Sequence, residues 1–77
     1  MPDKSNPAEY VAALCHLRNG ALEPYYSDRY FAVDKAEAIQ KATEWRVTAA
    51  STIDERTWLQ VILNGSEIYS EDLGGFQ

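Results

Sequence analysis

The sequence predicts an α+β domain: a four-stranded antiparallel sheet of two hairpins with one helix packed on one face, in the order β-β-α-β-β. Three observations predict it. Asn19-Gly20 and Asn64-Gly65 each follow an apolar run, and Asn-Gly suits the type I′ hairpin turn because both central residues need φ > 0. The runs beside those turns, Tyr10–Arg18 and Thr57–Leu63, are rich in aromatic and β-branched residues or alternate across two faces. Between them, residues 34–51 carry Ala38, Ile39, Ala42, Trp45 and Ala49 at intervals of three and four, one stripe of a helix.

Taken in order, residues 1–8 hold two prolines and four polar or charged residues without periodicity, which predicts a disordered arm. A single domain is expected over 9–73, and a flexible tail over 74–77, with Phe76 able to dock. In the first strand Val11, Ala13, Cys15 and Leu17 share one face, and Tyr10, Ala12, Leu14 and His16 the other. Residues 21–33 carry mixed signals. Pro24 cannot donate to a ladder and belongs on an edge strand or at a break, and Ser27-Asp28 reads as a bend. The stretch is therefore one irregular strand with a bulge or two short pieces.

The helix has a start signal in Asp34, whose side chain can accept from the Glu37 amide, while Glu37 reaches back toward the Asp34 amide. About 17 residues give a rod roughly 25 Å long, with Lys35 and Arg46 flanking the apolar stripe and Trp45 as its main contact with the sheet. Thr52–Arg56 is a polar connection. Thr57–Leu63 then puts Leu59, Val61 and Leu63 on one face and Trp58, Gln60 and Ile62 on the other, before the return through Glu67–Ser70.

At 77 residues the chain sits where one hydrophobic core supplies only about 3–5 kcal/mol of net stability. Cys15 is the only cysteine and His16 the only histidine, so an internal disulfide and a usual zinc-ligand set are both excluded. No metal and no cofactor is expected, which leaves self-association as the extra support. Seven basic residues against twelve acidic ones give a net charge of −5. The basic residues are scattered, which argues against nucleic-acid binding through phosphates. No apolar run approaches the roughly 18–20 residues that span a bilayer, and the first residues open no signal-peptide core. The expected location is the cytoplasm, with no membrane partner.

Width then becomes the main constraint. Four strands at about 4.8 Å make a sheet near 19 Å wide, whereas one helix with side chains covers only about 10–12 Å. One face should stay open, carrying some of Tyr10, Leu14, Trp58, Ile62 and the aromatics near Tyr30. A large apolar patch rarely faces water in a monomer, so the open face or an edge strand is expected to meet a protein, itself or another. The candidate interface residues are Tyr10, Tyr25, Tyr26, Tyr30, Trp58 and Ile62. Tyrosine suits such surfaces by joining an apolar ring to a polar tip.

The layout of Tyr10 to Leu17, Asn19-Gly20, Val33-Asp34-Lys-Ala-Glu-Ala-Ile39, Leu59 to Leu63, Asn64-Gly65 and Glu67 to Leu73 resembles a group of short bacterial proteins of unknown function. In those, a strand and turn precede an Asp/Glu-Ala-rich helix, and a strand, turn and strand close the chain. The resemblance implies a fold and no activity. The hairpin and strand before an alanine-rich helix are also similar to HicB-type antitoxin domains, although the Pro-Asp-Leu-Pro-Gly-Cys-like segment of that family has no counterpart between Glu23 and Val33.

Chemistry-bearing residues are few. Cys15 and His16 are adjacent, and neighbours on a strand point to opposite faces, so thiol and imidazole are not expected to act together. The pairs Asp54-Glu55 and Glu71-Asp72 lie beside turns, where solvated charge is ordinary. No catalytic, cofactor-binding or metal-binding residue is assigned. The expected function is a small non-catalytic interaction or structural module, a homodimer through the open sheet face or an edge strand. The alternative is an antitoxin-like regulator capping a protein partner, and a small-molecule binder or enzyme comes last.

Overall fold

In a computed structural model, residues 7–74 are described. The expectations for residues 1–6 and 75–77, including docking of Phe76, lie outside the described residues. The chain forms β1 (Ala8–Arg18), β2 (Ala21–Ala32), α1 (Lys35–Trp45), a 3₁₀ segment (Arg46–Thr52), β3 (Thr57–Leu63) and β4 (Ser66–Asp72). One antiparallel sheet in the order β2-β1-β3-β4 contains both hairpins. The α+β layout β-β-α-β-β is therefore the fold of this chain. Ala8 pairs with Ala32, so β1 begins inside the stretch expected to be an arm.

Both Asn-Gly turns have the backbone the sequence demanded, with φ of 52° and 80° at Asn19 and Gly20, and 54° and 80° at Asn64 and Gly65. The 21–33 question resolves as one strand with a bulge. Leu14 pairs with Tyr26 and Cys15 with Pro24, which leaves Tyr25 as the extra residue. Pro24 sits on an edge strand, where a missing N–H costs least.

The start of α1 follows the capping expectation with one shift. The Glu37 amide donates to Asp34 Oδ1 at 2.9 Å, but Glu37 Oε1 accepts from the Val33 amide at 2.7 Å rather than from that of Asp34. The α-helix also ends at Trp45, short of residue 51. Beyond it the chain tightens into the 3₁₀ segment, and Ala49 leaves helical geometry at φ −122°, ψ 28°. Threonine hydroxyls explain the change: Thr48 Oγ1 donates to the Trp45 carbonyl and Thr52 Oγ1 to the Ala49 carbonyl, each at 2.8 Å, in competition with the regular ladder.

Helix and sheet meet through small side chains. Ala38, Ala42 and Ala49 are the buried residues of the helical stretch, and they join Tyr10, Ala12, Leu14, Ala32, Leu59, Val61 and Leu73 in one core. Trp45 is not the main contact: it is half-buried and stacks on Tyr26 of edge strand β2, with ring centroids 5.4 Å apart and planes within 6°. Ile39 is half-buried as well. Alanines let a narrow helix lie close to the sheet, and the bulky ring closes the margin instead.

Candidate functional site

In an antiparallel pair, residues directly opposite each other share a face, so the register assigns every side chain. Tyr10 pairs with Leu63, Ala12 with Val61, Leu14 with Leu59 and His16 with Thr57; these point toward α1. Val11 pairs with Ile62, Ala13 with Gln60 and Cys15 with Trp58; these form the opposite face, over which no element among the described residues lies. The expected grouping of Tyr10 and Leu14 with Trp58 and Ile62 is thus corrected. Both hairpins had the right internal alternation, but the register between them decides which halves meet.

The six candidate interface residues divide accordingly. Tyr10 is buried under the helix, 5% exposed, with its ring 6.0 Å from that of Tyr30. Tyr30 is half-buried on the same side, and its hydroxyl donates to the Ala38 carbonyl at 2.7 Å. Burial, and then the neighbouring Tyr10, push its phenol above the ordinary tyrosine range. The bulge turns Tyr25 and Tyr26 both toward the helical layer. Tyr26 stacks on Trp45, while the Tyr25 ring stacks on His16 at 4.3 Å and its hydroxyl meets Thr52 Oγ1 at 2.9 Å. Trp58 and Ile62 alone stand on the uncovered face.

That face has an ordered composition. Across the four strands, one row reads Arg29, Val11, Ile62, Glu67; the next reads Ser27, Ala13, Gln60, Ser70; the next reads Pro24, Cys15, Trp58, Asp72. The β1 column is small, the β3 column is large, and opposite charges sit at the two rims. Ala13 and Cys15 are 1% and 0% exposed, although no element among the described residues lies over them. Gln60 holds this arrangement: its Oε1 accepts from Cys15 Sγ at 3.5 Å and its Nε2 donates to Glu67 at 2.8 Å. Arg29 reaches Glu9 at 3.7 Å on the same face, with three-quarters of its side chain in water.

Val11, Gln60, Arg29 and Glu67 were missed by the sequence reading. Their signal is the pairing of β1 with β3, a contact between strands more than forty residues apart that no turn motif encodes.

Burial, and then the charge of Glu67, raise the Cys15 thiol above its usual range, the reverse of an activated nucleophile. His16 lies on the opposite face, as expected of strand neighbours, with Nε2 3.6 Å from Asp54 Oδ2. The Asp54 carboxyl is held below its usual range first by the Arg56 amide it accepts from at 2.8 Å, with Thr57 Oγ1 and His16 adding to this. A cavity of about 220 Å³ beside His16 is lined by Arg18, Glu23, Pro24, Tyr25 and Arg56. Glu23 already engages Arg18 at 3.5 Å there. Among the described residues no three His, Cys, Asp or Glu side chains group to hold a metal, and no helix is long and apolar enough to cross a membrane.

No protein-family model, curated protein or solved structure matches this chain. The uncovered face thus carries Val11, Ile62, Cys15 and Trp58 around Gln60, with Arg29 at one rim and Glu67 and Asp72 at the other.

Proposed function

We propose that this chain is a small non-catalytic interaction module that assembles through the uncovered face of its sheet, with a second copy of itself as the partner. The observation that carries this reading is the column of Trp58, Gln60 and Ile62 beside Val11, Ala13 and Cys15, apolar in the main, with no element over it among the described residues. The edge strands serve less well. β2 is interrupted by its bulge and Pro24, and β4 carries Glu67, Glu71 and Asp72, so two copies pairing along β4 would bring like charges together. A reducing cytoplasm fits the single buried, free thiol.

Sedimentation tests the reading. The protein should run as a dimer of its 8.7 kDa chain at high micromolar concentration, and Trp58→Glu should run as a folded monomer, since Trp58 is not part of the core under the helix. A parent protein that stays monomeric throughout would refute the proposal, as would an undiminished dimer of the variant.

A further inference from the structure

We infer that the two copies pack face to face about a two-fold axis parallel to the strands, and that Arg29 of each copy meets the Glu67 of its partner. This rests on the assembly proposed above and specifies its geometry. An axis that brings a sheet face onto its own copy lies in the plane between the sheets, and the two directions that keep the strands of both copies aligned run along and across them. An axis along the strands, midway between β1 and β3, exchanges left and right while keeping position along the strand. It therefore sets β3 of one copy over β1 of the other, and β4 over β2.

Three features of the face fit that operation. The large column of Trp58, Gln60 and Ile62 falls on the column of Cys15, Ala13 and Val11 rather than on its own copy, so the two bulky columns lie side by side and do not collide. The row Arg29, Val11, Ile62, Glu67 reverses onto itself, so each rim guanidinium faces a carboxylate across a gap of about 10 Å between backbones, within the joint reach of the two side chains. Ser27 and Ser70, at the ends of the middle row, face each other without charge. An axis across the strands would instead lay each column on itself, Trp58 against the partner's Ile62 and Arg29 against Pro24, with no charge complement. An isologous interface needs this kind of self-complementarity.

The area sets the strength. A face about 19 Å wide and about 27 Å long covers roughly 500 Å² per copy, so the pair buries on the order of 1,000 Å², the lower limit for specific interfaces. The dimer is accordingly reversible and concentration-dependent, and its rim charges weigh visibly in its affinity.

Charge exchange tests the geometry. Arg29→Glu and Glu67→Arg should each weaken self-association about 10- to 100-fold, because each places like charges opposite each other twice per dimer. An equimolar mixture should associate about as strongly as the parent, since every introduced charge then faces its opposite. Native mass spectrometry of the mixture should show the heterodimer in excess over both homodimers. Melting of each variant at concentrations where the parent is monomeric checks that the fold survives. Parent-like dimers of either variant, or a mixture that stays monomeric, would overturn the inferred axis and leave the use of the face standing. A monomeric parent would overturn the assembly itself.

Discussion

Substituting Ala42→Leu probes the contact on which the two-layer packing depends. Ala42 is fully buried in α1 and belongs to the same core as Ala12, Leu14, Leu59 and Val61. A leucine brings three further carbons into a site with no exposed margin, and either the helix must lift or the strands must shift. Overpacking of this kind costs about 1–3 kcal/mol, against a net stability of about 3–5 kcal/mol for a chain of this size. At a middle value of about 2 kcal/mol, and about 4–8 °C per kcal/mol, Tm falls by roughly 8–16 °C. Circular dichroism melts should be run at one low concentration, because dimerisation raises apparent stability by mass action. Ala36→Leu is the matched control: the same change on the same helix at an exposed position, expected within about 0.5 kcal/mol of the parent. If Ala42→Leu melts with the control, or above the parent, the helix is not seated on its alanines and the assignment of the core face fails.

Two further substitutions address the aromatic links between edge strand and helix. Tyr30→Phe removes the hydrogen bond to the Ala38 carbonyl and should cost about 1 kcal/mol in urea unfolding at neutral pH. Because burial raises the Tyr30 phenol, the folded state favours the neutral form. Its contribution is full below the ordinary tyrosine pKa of about 10 and is lost as pH rises through the higher folded value. The variant should therefore lose stability less steeply above pH ~10, and an unchanged midpoint with an unchanged alkaline slope would show that the bond carries nothing. Trp45→Ala should cost about 2 kcal/mol, below the 3–5 typical of a fully buried tryptophan, because the ring is half-buried and rests on Tyr26; a loss near the upper figure in equilibrium unfolding would place the ring in the core after all.

The parts of the fold legible in the sequence were those with a local cause. Asn19-Gly20 and Asn64-Gly65 specify φ > 0 at consecutive positions, Asp34 carries its own capping oxygen, and the alternation of Thr57–Leu63 follows from the strand period. What was not legible depends on distance in sequence. β3 has two bulky faces and β1 has apolar residues on both, and only the pairing of Leu14 with Leu59, rather than with Trp58, decides which faces go inward together. A shift of one residue there would exchange the core for the open surface. Tyr25 and Tyr26 would point apart in a regular strand, and the bulge between them is fixed by where Pro24 meets Cys15. Trp45 looked central because it is the largest residue of its stripe, yet a single helix over a sheet gains more by approaching closely on alanines than by standing off on an indole. The candidate surface was half visible, through Trp58 and Ile62, while Arg29 and Glu67 read as ordinary solvated charges until the register set them at opposite ends of one row.

Strand β1 shows why one chain can serve both layers. It is one of the two inner strands, paired with β2 and β3, and Ala12, Ala13, Leu14 and Cys15 run through its middle with almost no exposed surface. Ala12 and Leu14 face the helix on one side, and Ala13 and Cys15 lie beside Gln60 and Trp58 of β3 on the other. Small residues on both sides of the same strand limit how much apolar area a monomer can remove from water, which leaves this chain near the lower end of independent stability. A second copy set by the proposed two-fold operation would take Trp58, Ile62 and Val11, which are only half-buried in one chain, out of water. At a concentration one hundred times Kd, binding of this kind stabilises the folded state by about 2.7 kcal/mol, comparable with the net stability of about 3–5 kcal/mol expected for the chain alone. The small residues that let the helix sit close and the open surface on the other side are thus two consequences of the same inner strand, and the proposed assembly would couple to folding through it.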